Sequence, residues 1–99
     1  MTVLTEKRTL LTIITEAAIE QSILRDAEQM GITGYTVSDA RGRGRHGLRD
    51  AAWDEKANIR IDVICTRAQA EQVLTHIKKR YYPDYAMMAF LQEAEILLP

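Results

Sequence analysis

Four arginines, Arg41, Arg43, Arg45 and Arg49, stand with His46 among Gly42, Gly44 and Gly47. A guanidinium group presents a fixed fork of donors that fits phosphate or carboxylate oxygens, and glycines let backbone N–H groups approach an anion closely. The spacing therefore points to phosphate binding. No acid falls between residues 41 and 49, whereas the whole chain carries a net charge of −1. The positive charge is local and the remaining surface is acidic, which argues against nucleic acid as a partner. Such binding would need a broad basic face and stacking aromatics beside the arginines. Trp53 is the one aromatic residue between 41 and 57, and it is either packed locally or an anchor for a partner.

Other chemistry has little support. His46 and His76 do not belong to a metal-ligand spacing, and Ser22 and Ser38 lack a nucleophile-elbow context. Without a pair of acids at a strand end, acid–base catalysis is not indicated either. The expectation is a protein that is not an enzyme and holds no metal or cofactor. Cys65 continues the alternation Ile59, Ile61, Val63 and reads as a small buried side chain. His76, beside an apolar helix stripe, reads as a surface histidine, and Lys78, Lys79 and Arg80 as complements of a helix C-terminus.

The elements that must position the arginine segment follow from periodicity. Residues 9–15 are β-branched and apolar on both alternations, as in a strand covered on two sides. A helix follows, with Ala18, Ile19, Ile23, Ala27 and Met30 as its buried stripe, Thr15 as N-cap and Gly31 just past its end. Strands are expected at Tyr35–Ala40 and Asn58–Thr66. Thr66 and Gln69 form a capping box for a second helix that buries Ala70, Val73, Leu74, Ile77 and Tyr81 and stops before Pro83. The last strand runs from Met87 to Glu95. The order strand, helix, strand, strand, helix, strand is that of a ferredoxin-like α+β domain, βαββαβ, with two helices on one face of a four-stranded antiparallel sheet. Residues 1–99 form one such domain, 46% hydrophobic and 27% charged. The first and last strands are apolar on both alternations, Leu10 and Ile14 against Leu11 and Ile13 and Met88 and Phe90 against Met87, Ala89 and Leu91. Leu11, Ile13, Met87, Ala89 and Leu91 exceed what two helices on one side are expected to cover, so a second apolar face and subunit association are expected. The hairpin connection 41–57 is far longer than the usual 2–5 residues, which marks it as functional or mobile. No apolar run reaches the ~20 residues of a membrane span, and the amino terminus lacks a signal-peptide core, so a cytoplasmic address without membrane insertion is expected.

The stretch GITGYTVSDARGRGRHG, residues 31–47, resembles the start of the T-loop in PII signal-transduction proteins, whose pattern is close to G-[IV]-x-G-[MY]-T-V-x-x-x-[KR]-G-x-G-R. The order of elements and the strand Arg60-Ile61-Asp62-Val63-Ile64 are similar as well. The resemblance implies a homotrimer with a mobile T-loop at 41–57 and adenine nucleotides held in clefts between subunits. Carried over by position, Thr36, Asp62 and Ile64 would surround the adenine and Ile14 would line the cleft floor. Arg41, Gly42, Arg43, Gly44 and Arg45 would meet the phosphates.

Departures from the pattern shape the expectation. The segment Arg80–Tyr85 has no glycine where PII proteins carry a glycine-rich B-loop, so strong ATP-type triphosphate recognition is not expected. The family's C-terminal arginines are not expected to contribute here. His46 stands where a glutamine helps bind 2-oxoglutarate, and residues 41–57 contain no tyrosine for uridylylation, so nitrogen sensing of the usual kind is not expected. The segment Tyr82-Pro83-Asp84-Tyr85-Ala86, followed by Glu93-Ala94-Glu95-Ile96-Leu97, is similar to PII-like regulators associated with bicarbonate transporters and carboxysomes. That likeness implies a sensor of AMP or ADP, with bicarbonate as a second ligand, that signals inorganic-carbon or energy status through its T-loop to a transporter or carboxysome-related protein. The alternative is an interaction module whose basic loop binds a protein partner without a small ligand.

Overall fold

The computed structural model describes residues 3–42 and 57–99. Its elements are β1 (Thr5–Glu16), a single 3-10 turn at Ala17–Ile19, α1 (Glu20–Gln29), β2 (Thr36–Ala40), β3 (Asn58–Cys65), α2 (Arg67–Arg80) and β4 (Met87–Leu97). All strand pairs are antiparallel and the sheet order is β2-β3-β1-β4, the ferredoxin-like arrangement expected from the pattern. The expected insertion between β2 and β3 falls mostly at residues 43–56, outside the described residues.

One face of the sheet carries Leu11, Ile13, Ile59, Ile61, Val63, Cys65 and Met87, which pack with Ile23, Leu24 and Ala27 of α1 and with Ala70, Val73 and Ile77 of α2 into one core. The five residues expected to overflow the helices therefore lie beneath them: Leu11, Ile13 and Met87 are buried, and Ala89 and Leu91 pack against the same core. Strand alternation sends their neighbours the other way. The open face presents Leu10, Ile14, Ile64, Met88 and Phe90, with Ile64 45% and Met88 39% exposed in the single chain. A second apolar face exists, made of the alternate residues.

Both helices are held by local devices. At the end of α1, Gly31 adopts φ 91°, a left-handed conformation that glycine takes without a Cβ clash. Its N–H reaches Glu28 O and the Ile32 N–H reaches Ala27 O, closing the helix in a Schellman motif with Ile32 and Ala27 both buried. Thr66 caps α2 as expected, accepting from the Gln69 N–H while the Gln69 side chain accepts from the Thr66 N–H. Thr15, in contrast, does not cap α1. It belongs to β1, is fully buried, and its hydroxyl donates to Ala86 O at 2.8 Å. The chain enters α1 through the 3-10 turn without a side-chain cap. Leu74 sits at the rim of the core rather than inside it.

His76 is not a free surface residue. Its ring nitrogen donates to the Asp26 carboxylate at 2.8 Å, beside the Tyr81 hydroxyl at 2.5 Å from the same oxygen, so α1 and α2 are joined by a charged hydrogen-bond cluster. Arg80 approaches that oxygen at 3.7 Å and lies over the Tyr81 ring.

Candidate functional site

Register decides which residues share a site. Pairing of β2 with β3 sets Thr36 opposite Asp62, and pairing of β1 with β3 sets Asp62 opposite Thr12 and Ile64 opposite Leu10. Asp62 and Ile64, two apart on β3, therefore face the same open side. Together with the chain entering β2 they line a groove of about 370 Å³ formed by Leu10, Thr33, Gly34, Tyr35, Thr36, Asp62 and Ile64.

The polar centre of this groove is Asp62. Thr12, fully buried below it, donates its hydroxyl to Oδ1 at 2.7 Å, and Arg60 donates Nε to Oδ2 at 3.0 Å and to Oδ1 at 3.2 Å. Burial acts to raise the Asp62 pKa. The Arg60 hydrogen bonds, the Thr12 hydroxyl and the Arg60 charge outweigh it and hold the carboxyl below its ordinary value. An ionised carboxylate is acceptor-only and keeps lone pairs beyond those already engaged. Between the apolar walls of Leu10 and Ile64, such an acceptor suits a flat heterocycle bearing an amino group.

Three of the residues named from the sequence, Thr36, Asp62 and Ile64, thus meet in one groove. Ile14 does not line it. That residue shares the open face but stands opposite Arg60 and Met88, one row further along the sheet. Arg41 and Gly42 lie at the far end of β2, just past the last pair, Ala40 with Asn58, and both are exposed. Five residues of extended chain from Thr36 to Arg41 span roughly 17 Å. In one chain, then, the groove and the start of the arginine segment occupy opposite ends of the edge strand. Arg43, Gly44 and Arg45, with His46, Arg49 and Trp53, lie outside the described residues.

Sequence reasoning passed over Leu10, Thr33, Gly34 and Tyr35 as lining residues. The last three stood within the GITGYTV motif itself, whereas Leu10 is recruited only by its pairing with Ile64. A second feature it did not anticipate is the turn at 81–86, where Glu16 Oε2 accepts from the Ala86 N–H at 2.7 Å. Among the described residues no cluster of histidine, cysteine, aspartate and glutamate is placed to hold a metal, and no helix is long and apolar enough to cross a membrane.

Comparison with known proteins fits this geometry. The family model for nitrogen regulatory protein P-II matches residues 8–97. The chain belongs to the P-II family. A PII-like signaling protein from Thermus thermophilus is 30% identical, with 94% of this chain and 92% of that one covered at a TM-score of 0.78. CPII of Thiomonas intermedia, a nitrogen regulatory PII-like protein solved with ADP, AMP and bicarbonate, is 20% identical, with 97% and 99% covered at a TM-score of 0.81. The GlnK–ATP complex of B. subtilis matches at 16% identity, 90% and 84% coverage and a TM-score of 0.56. The last two likenesses are of fold. P-II proteins are trimers and generally regulators rather than enzymes.

Proposed function

We propose that this P-II protein is an adenylate-responsive regulator that binds AMP or ADP in clefts shared between the copies of a homotrimer. Bicarbonate acts as a second ligand, and the loop 41–57 reports the bound state to a protein partner. The observation that carries this reading is the groove in which Thr36, Asp62 and Ile64 converge around a fixed carboxylate. The distance from that groove to Arg41 favours a composite cleft, in which one copy supplies the base-binding groove and another the phosphate-binding loop. CPII, of the same fold, was solved with ADP, AMP and bicarbonate, which supports the choice of ligands. Arginine forks exceed in number what one diphosphate requires, so a small planar anion has donors of its own.

Thermal-shift and calorimetric titrations with AMP, ADP and ATP test the reading. AMP and ADP should stabilise the protein at least as well as ATP, and Arg45→Ala should weaken adenylate binding by about 1.5–3 kcal/mol, the range for a charged hydrogen bond. Bicarbonate, but not chloride at equal ionic strength and pH, should change ADP affinity by about 1 kcal/mol or more, and linkage makes that effect reciprocal. Absence of binding by every nucleotide would overturn the proposal in favour of an interaction module. Superimposable ADP titrations with and without bicarbonate would remove the carbon ligand alone.

A further inference from the structure

The turn joining α2 to β4 has no backbone donor left for a ligand. Tyr82 N–H is bonded to Ile77 O, and the N–H groups of Asp84 and Tyr85 are both bonded to Tyr81 O. Pro83 has none to offer. The remaining donor, Ala86 N–H, is taken by the Glu16 carboxylate at 2.7 Å, while Thr15 holds Ala86 O from the same strand end. An anion that belongs to the protein already sits where an incoming anion would find an amide.

The position of Glu16 makes this consequential. Ala40 pairs with Asn58 and Asn58 with Glu16, so the loop base that continues into Arg41 and Gly42 and the turn at Ala86 leave the same end of the sheet. Two strand spacings, about 10 Å, separate Ala40 from Glu16. A phosphate chain anchored at Arg41 and Gly42 that grows across the sheet end approaches a carboxylate instead of a nest of N–H groups. Repulsion between two such anions, partly shielded from water, rises steeply as they close.

We propose that Glu16 is a specificity-determining residue that limits the phosphate chain the site accepts, disfavouring a nucleoside triphosphate by occupying the Ala86 amide and placing negative charge beside it. The inference rests on the adenylate reading above. It adds a cause for selectivity that lies in β1, outside the loop that carries the arginines.

Calorimetric titration of the full chain with AMP, ADP and ATP, for the wild type, Glu16→Gln and Glu16→Ala, tests it. Glutamine keeps a neutral acceptor for Ala86 and preserves the turn, whereas alanine also frees the amide. The ratio of ATP to ADP affinity should rise by about threefold in Glu16→Gln and by about tenfold or more in Glu16→Ala, the worth of a lost repulsion and a gained charged hydrogen bond. A purely structural Glu16 would weaken all three nucleotides alike and leave the ratio unmoved. That outcome, or an unchanged ratio with ADP binding intact in both variants, overturns the role of Glu16 and leaves the adenylate reading standing. Failure of the wild type to bind any nucleotide overturns both.

Discussion

Asp26 receives two hydrogen bonds on one oxygen, from Tyr81 and His76, with the Arg80 guanidinium close by, and only 15% of its side chain is exposed. Burial pulls its pKa upward. The Tyr81 and His76 bonds and the charges of Arg80 and His76 outweigh this, and the carboxyl is held below its ordinary value. Because the folded pKa is depressed, the stabilisation is complete above the unfolded value of about 3.9 and is lost as pH falls through the folded value. Tyr81 is the converse: burial and the bond to Asp26 raise its pKa, so its contribution is intact below about 10 and lost on the alkaline side. Asp26→Asn should lower stability by about 1.5–3 kcal/mol at pH 7, since it replaces charged hydrogen bonds by neutral ones. Chemical denaturation at fixed protein concentration, stepped down from pH 5, should show the gap between variant and wild type closing. A gap that stays constant to the lowest pH would contradict the assignment.

Local devices were legible in the sequence and distant ones were not, and the two helix starts show why. The Thr66 and Gln69 box is closed by residues three apart, so composition and spacing suffice to find it. Thr15 had the right chemistry to cap α1, but its hydroxyl is claimed by Ala86, 71 residues away, through a pairing that no local pattern contains. The same holds for length: Thr5–Arg8 are all polar, and they extend the strand where Ala94–Leu97 pair with them. In the groove, the GITGYTV motif exposed one wall, while Leu10 was hidden until register brought it beside Ile64. Substitutions separate the devices. Thr66→Ala should cost about 1 kcal/mol through the lost cap. Gly31→Ala should cost about 1 kcal/mol through backbone strain at φ 91°, since an added Cβ meets nothing closer than Gln69 Nε2 at 3.5 Å. Thermal melts in which the Gly31 variant is as stable as wild type would mean that the left-handed cap is relaxed.

At the scale of the whole molecule, the open sheet face is the apolar surface that association between copies would cover. Leu10, Ile14, Ile64, Met88 and Phe90 form an apolar surface around the fully buried Thr12 and the Asp62–Arg60 pair, on the side that neither helix covers. A domain of 99 residues buries a modest share of its surface by itself, so shared burial between copies would supply stability that a lone chain lacks. The groove lies at one end of β2 and Arg41 at the other, so association would also bring together, from different copies, what one copy holds apart. On the adenylate reading, assembly and ligand binding would then be one property. Wild-type protein should sediment as a trimer at micromolar concentration, and Phe90→Asp, which puts a charge on the covered face without touching the groove lining, should yield monomer. That monomer should also lose adenylate binding, because its groove would face no second loop. A trimeric Phe90→Asp variant would show that the face is not the interface, and a monomer that still binds ADP with wild-type affinity would show that the cleft is complete within one chain.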